Sequence, residues 1–304
     1  MADCLTKGEP VDADIRRIML ELVDEAVAAL RGGEGSAHKG IHKARKDCKR
    51  LRAVLRLVRT DIGGQRFRAE NVFVRDAQRL ISAVRDTAAI IETLDDLAAH
   101  YERELEPQAF AELRRVLVER CREIEARQIV HADTPAQVAG LLEDRRERFA
   151  ALPLRHGDFR VLRGGLKRIY RDGRRALAGL DRDSSPHALH EWRKQVKYLW
   201  SALRVVEPAW PGPLKSLGKE LKCLADRLGT HHDLTVLRDI AAAEDFGATA
   251  ASALVALIDR RRRELEEEVR PLGRRIYADR PRVFIGRMEA WWDAWQAAPH
   301  AEAA

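Results

Sequence analysis

Between Ser36 and Thr60 the apolar residues Ile41, Ala44, Cys48, Leu51, Leu55 and Val58 recur in steps of three and four, the spacing of one helix face. Moving each position by one gives a second stripe, His42, Arg45, Lys49, Arg52, Arg56 and Arg59, with His38 one turn earlier. Successive residues lie about 100° apart around an α-helix, so a cationic stripe flanks the buried one. Nine Lys or Arg fall in this stretch, Lys46 and Arg50 among them, against the single acid Asp47. Like charges one turn apart repel by roughly a few tenths of a kcal/mol per pair, and a solvated helix ordinarily interleaves the two signs. This helix accepts the repulsion along its length. A solvated charged face is the plainer alternative; the sharper reading is a row of cations awaiting an anionic partner.

The pattern occurs twice. Aligning His42 with His190, an offset of 148, pairs Arg45 with Arg193, Lys46 with Lys194, Lys49 with Lys197 and Arg56 with Arg204. The buried stripe returns as Leu189, Trp192, Val196, Leu199, Leu203 and Val206. Agreement in character at this many positions and one offset indicates a duplicated domain rather than a solenoid of short repeats.

Strand alternation is absent throughout, and a composition rich in Ala, Leu, Arg and Glu with only 6% aromatics favours helix. The expected fold is all-α: two pseudo-symmetric four-helix bundles at 10–130 and 158–275, joined by a connecting helix and linker at 131–157 and followed by a helical extension at 276–304. In chain order the periodicity predicts helices over 11–31, 36–60 with Ser36 as N-cap, a long helix over 65–100, and one from Pro107 to about 131. The connecting helix runs over about 134–151. Helices over 158–180, from Pro186 to Pro208, over 213–243 with an interruption or kink near Gly229, and over 247–270 complete the second half. Trp291, Trp292 and Trp295, at helical spacing beyond Pro281, are expected to pack against the bundle.

The long third helices correspond at an offset of 147, where Val84-Arg85-Asp86 matches His231-His232-Asp233. Asp86 and Asp233 are placed to brace the basic helices through charge-assisted hydrogen bonds. Lys215, Lys219 and Lys222 continue a basic line along the second long helix, with Arg68, Arg75 and Arg79 on the first. A formal charge of +7, concentrated in two helices, points to a polyanion: nucleic acid, anionic lipid or a phosphate polymer. Cys4, Cys48, Cys121 and Cys223 are widely spaced without a CxxC pair, which fits free thiols in a reducing compartment. The first residues lack the apolar run of a signal peptide, and no stretch has the length of a membrane span. A soluble, cytoplasmic protein is expected.

The motif His42-Lys43-Ala44-Arg45-Lys46 with Lys49-Arg50-Leu51-Arg52, repeated as His190-Glu191-Trp192-Arg193-Lys194 with Lys197, resembles the CHAD family, the conserved-histidine α-helical domain. The segment Leu228-Gly229-Thr230-His231-His232-Asp233-Leu234 resembles that family's third-helix signature. The resemblance spans about residues 10–275. It implies two pseudo-symmetric helical bundles that bind inorganic polyphosphate through their basic helices, often at polyphosphate granules; the expectation here is a binding module without cofactor or catalysis. The stripes, the basic lines and these motifs together give as polyphosphate-binding candidates His38, His42, Arg45, Lys46, Lys49, Arg50, Arg52, Arg56, Arg75, Arg85, His190, Arg193, Lys194, Lys197, Arg204, Lys215, Lys219, Lys222 and His232. Some relatives carry the region behind a triphosphatase domain of the CYTH type, whose ExExK strand pattern is absent here. Tyr198 and Trp200 stand where the first half has Arg50 and Arg52, which predicts a weaker second stripe.

Sequence-independent nucleic-acid binding is the nearest rival, since phosphate backbones also attract cationic helices. Against it, the stripes hold no Asn or Gln fork for base edges beyond Gln195 and few aromatics for stacking. A metal site built from His38, His42, His190 and His231-His232-Asp233 is disfavoured because cations surround these histidines. No phosphate-binding GxxxxGK[ST] loop or GxSxG elbow is present.

Overall fold

Each apolar stripe predicted from spacing is buried. Ile41, Ala44, Cys48, Leu51, Leu55 and Val58 on the first basic helix, and Leu189, Trp192, Val196, Leu199, Leu203 and Val206 on the second, are all nearly inaccessible to solvent. The computed structural model describes residues 4–32, 37–105, 110–127, 133–243 and 247–299, and the side chains at 37, 83–86 and 248 fall outside that description. The Ser36 cap, Pro107 and the side chains of Arg85 and Asp86 therefore lie outside the described residues. Every regular element among the described residues is helical.

In chain order these are α1 (Val11–Leu30), α2 (Ala37–Leu57), α3 (Arg59–Ile62), α4 (Gly64–Leu80), α5 (Ser82–His100), α6 (Ala111–Glu125), α7 (Thr134–Ala150), α8 (Arg160–Gly179), α9 (Pro186–Val206), α10 (Pro211–Ala243), α11 (Ala248–Ile276) and α12 (Pro281–Ala297). The α9 start is set by Ser185, whose Oγ accepts the Ala188 N–H at 3.2 Å, with Pro186 in the first turn. No helix among the described residues is long and apolar enough to cross a membrane.

Three boundaries differ from the periodicity. The expected 65–100 helix is broken at Ile81, where Ser82 Oγ donates to the Gln78 carbonyl at 3.0 Å. Such a back-bond competes with the helical ladder and bends it. The interruption expected near Gly229 is absent, and α10 runs unbroken from Pro211 to Ala243. Gly229 costs helix propensity but leaves the ladder intact. Helix α11 continues past residue 270, through Pro271, to Ile276.

The basic helix α2 is central, packing against α1, α4, α5, α8 and α9. Its crossing with α8 brings backbones into contact: a Cβ on Gly165 would lie 1.7 Å from the Leu57 carbonyl oxygen, so this position admits only glycine. One large core joins α1, α2, α4, α7, α8, α9 and the first half of α10. A smaller core of Leu94, Leu113, Leu117, Leu234, Leu237, Leu254 and Ile258 joins α5 and α6 to the second half of α10 and to α11. The apolar burial is thus divided across both halves of the sequence. Helix α12 closes on α8, with Phe284 stacked on Tyr170 at 4.0 Å, Trp292 buried and Trp291 edge-on to Trp210 at 4.9 Å.

Candidate functional site

Because α2 and α9 pack side by side, the flanking stripes that periodicity places next to each buried face meet along one seam. The Arg56 guanidinium lies 3.9 Å from the centre of the Tyr198 ring. Lys49 is close enough to Lys197 to disfavour its charged form. Arg50 and Arg204 line one small crevice with Leu22, Val54, Ser201 and Val205. Helix α4 contributes Asn71, whose Oδ1 accepts from Arg52 Nε at 3.2 Å and Arg56 Nη1 at 2.8 Å. Helix α10 contributes His232, whose ring sits 4.1 Å from that of His190.

Arg193 and Lys197, two cations on α9, are half-buried. Arg193 Nε is buried and has no hydrogen-bond partner among the described residues. Its guanidinium lies against Gly229 of α10, where a Cβ would approach Nη2 to 3.4 Å. A side chain there would crowd the guanidinium, which gives this glycine a packing role. Burial lowers the Arg193 pKa, opposed by Asp233 and Asp226. Lys197 is pushed down to about 7, first by burial and then by Arg193 and Lys49, with Asp233 and Asp226 again opposing. His190 falls to about 4 through burial, then His232, Arg193 and Lys194, and its Nδ1 is also buried without a partner among the described residues. On α2, burial takes Arg56 down to about 10 and lowers Arg52, with Arg75 of α4 adding to the second effect. Cations taken from water and set beside other cations are unfavourable until an anion reaches them.

Other residues predicted for the site are held by local partners. Arg45 is buried and donates to the Ser82 carbonyl, bracing the α4–α5 break. His38 meets Glu125 of α6 at 2.5 Å, Arg50 meets Asp47 at 3.5 Å and Arg75 meets Asp76 at 2.8 Å. Lys194 pairs with Glu191, and Lys215 lies 4.0 Å from Glu207. Lys222 meets Asp226 at 2.6 Å, the same acid that acts on Arg193 and Lys197, which sets Lys222 at the edge of the seam. His42, Lys46 and Lys219 are exposed on their helices. Adjacent histidines on α10 part company: His232 joins the seam, whereas His231 is buried, its Nε2 3.1 Å from Glu266.

The family model of the CHAD domain matches residues 17–242. The chain belongs to the CHAD domain family. Its structure is similar to the crystal structure of the CHAD domain from the plant Ricinus communis, with a TM-score of 0.63 at 16% identity, covering 92% of this chain and 96% of that one. It is also similar to PptA from Streptomyces chartreusis, with a TM-score of 0.61 at 19% identity, covering 89% of this chain and 100% of that one. At these identities the likeness is one of fold. No curated protein matches the sequence.

Within this CHAD fold, sequence reasoning missed Asn71, Asp226, and the part played by Tyr198 and Trp200. Tyr198 carries Arg56 on its face, and Trp200 lies 5.8 Å from the Arg204 guanidinium. The available signal was aromatic side chains one turn from basic positions on a helix whose copy faces it, since guanidinium groups stack on aromatic rings.

Proposed function

We propose that this CHAD protein binds inorganic polyphosphate along the α2–α9 seam and does not turn it over. The observation carrying this reading is the half-buried pair Arg193 and Lys197 beside Lys49, with Asp233 and Asp226 as the acids that act on them. A polyphosphate chain is a flexible rod with roughly one charge per phosphate, so a row of guanidinium forks and ammonium groups binds it without fixed register. Family membership supports the same ligand. The rival, a nucleic acid, gains most from aromatic platforms for its bases. Here Tyr198 and Trp200 are already covered by Arg56 and Arg204, which favours the phosphate polymer. The reading also carries a cytoplasmic location at polyphosphate granules, and it takes α2 and α9 as copies from one duplication.

The test compares two sets of neutralising variants. Lys49→Gln, Arg193→Gln and Lys197→Gln together are expected to lower affinity for long polyphosphate by at least about tenfold, each lost contact to a charged group being worth roughly 1.5–3 kcal/mol. The salt slope should drop by about one unit per phosphate contact, taking duplex DNA as the guide. The control set, Arg260, Arg261 and Arg262 to Gln, neutralises cations already paired with Glu104, Glu264 and Asp259 and should leave both quantities nearly unchanged. Equal losses from the two sets would mean that net charge alone governs binding.

A further inference from the structure

A second cationic site, sharing no lining residue with the seam, is built from α8 and α11. A pocket of about 650 Å³ opens between them and the start of α12. Arg171, Arg174 and Arg175 come from one wall, at the spacing that puts three side chains on one helix face. Arg270 and Arg274, one turn apart, come from the facing wall. The lining holds one carboxylate, Asp181, which lies 3.6 Å from Arg270 and 3.7 Å from Arg274. Two of the arginines spend donors on backbone carbonyls: Arg174 Nε on Tyr277 at 3.2 Å and both Arg270 Nη groups on Leu180 at 3.3 Å. Those bonds orient the guanidinium groups and leave their charge in place. Arg171 pairs with Asp172 at 2.9 Å, and Arg175 has no ion pair among the described residues.

Tyr277 is buried with its ring against Gly173 of α8, and its hydroxyl has no hydrogen-bond partner among the described residues. Trp192 of α9, fully buried, reaches Gly273 of α11 next to Leu177. A volume of this size is that of a small-molecule site. Five guanidinium forks converging from two walls suit a compact anion with several phosphate oxygens, in contrast to the extended chain that fits a seam. Helices α11 and α12 lie beyond residue 242, where the family match ends, so the matched segment contains the α8 wall and Asp181 but not the facing wall.

We propose that the α8–α11 pocket is a separate binding site for a compact triphosphate, either free inorganic triphosphate or the phosphate tail of a nucleoside triphosphate. Calorimetric titration of the full chain with inorganic triphosphate, ATP and orthophosphate tests it. The double variant Arg175→Gln, Arg274→Gln removes two exposed guanidinium groups that make no backbone bonds and is therefore expected to keep the thermal midpoint of the parent. It should weaken inorganic triphosphate binding by at least about tenfold, while the seam triple variant changes it less than about twofold. Affinity for triphosphate should exceed that for orthophosphate. Equal affinities for ATP and inorganic triphosphate would assign recognition to the phosphates alone, and tighter ATP binding would add the nucleoside. Triphosphate binding that ignores the pocket variant, or is lost with the seam variant instead, would overturn the proposal. The seam reading stands or falls separately, on long polyphosphate.

Discussion

Lys197 shows how burial turns a common residue into a sensor of its ligand. Its ammonium gives up a proton near pH 7 rather than near the ordinary 10.5 because burial, Arg193 and Lys49 all oppose the charge. A bound phosphate raises that pKa again. Below about pH 7 the lysine is protonated both free and bound and adds no pH dependence. Above it the free protein loses the proton first, binding must recover it, and affinity falls by up to about tenfold per pH unit for this one proton. Titrating polyphosphate affinity between about pH 6 and 9 checks this, with Lys197→Arg expected to flatten the profile; an equally steep fall in that variant would assign the proton elsewhere. Folding has the opposite sign. The unfolded chain keeps this proton up to about 10.5, so it binds more protons than the folded one above pH 7, and the ligand-free protein gains stability as pH rises through that window.

Tyr198 makes the same point about reading residues singly. In the sequence it stands where the first half has a cation and looks like a loss of binding capacity. In the structure it is the platform for Arg56. Tyr198→Ala is expected to lower stability by about 1–2 kcal/mol in denaturant titration, while Tyr198→Phe, which keeps the ring, should cost much less. Equal losses in the two variants would mean the hydroxyl matters more than the stack. The misreading arises because the partner of Tyr198 is on another helix, about 140 residues away, and no local pattern records it.

At the scale of elements, periodicity was informative wherever one face of a helix is buried. Every residue of the two apolar stripes is in the core, because a 3.6-residue repeat leaves one solution for which side turns inward. It failed at the α4–α5 break, since residues on both sides of Ile81 keep a helical pattern and the break depends on bonds from side chains. One of these comes from Arg45, read from the sequence as a ligand of the polyanion and found bracing the Ser82 carbonyl. Arg45→Ala is accordingly expected to destabilise the protein by roughly 1.5–3 kcal/mol, the worth of a hydrogen bond to a charged group. A thermal melt compared with that of Lys49→Ala, an exposed neighbour one turn on, decides the matter: equal midpoints would remove the structural role. The interruption expected at Gly229 is absent for a related reason. That glycine makes room for a guanidinium, a demand that arises only once α9 lies across α10.

At the scale of the molecule, the repeat at offset 148 carried the most information, because two helices with the same flanking stripe can pool their charge only if they pack together, as α2 and α9 do. The division of apolar burial into a large core and a smaller one formed by α5, α6, α10 and α11 was not legible, since it depends on how far the long helices project beyond the basic pair. The arginine pocket between α8 and α11 was likewise invisible: its two walls are about a hundred residues apart in sequence and their charges look like ordinary solvated faces. What the seam offers a ligand is a line of cations, the oxygen of its amide Asn71 being taken up by Arg52 and Arg56. Its most direct test is displacement of labelled long polyphosphate by unlabelled polyphosphate, single-stranded DNA and duplex DNA at matched phosphate concentration and salt. The account predicts that polyphosphate competes at phosphate concentrations at least about tenfold below either DNA, with a steep loss as salt rises; displacement by DNA at equal or lower phosphate concentration would contradict it.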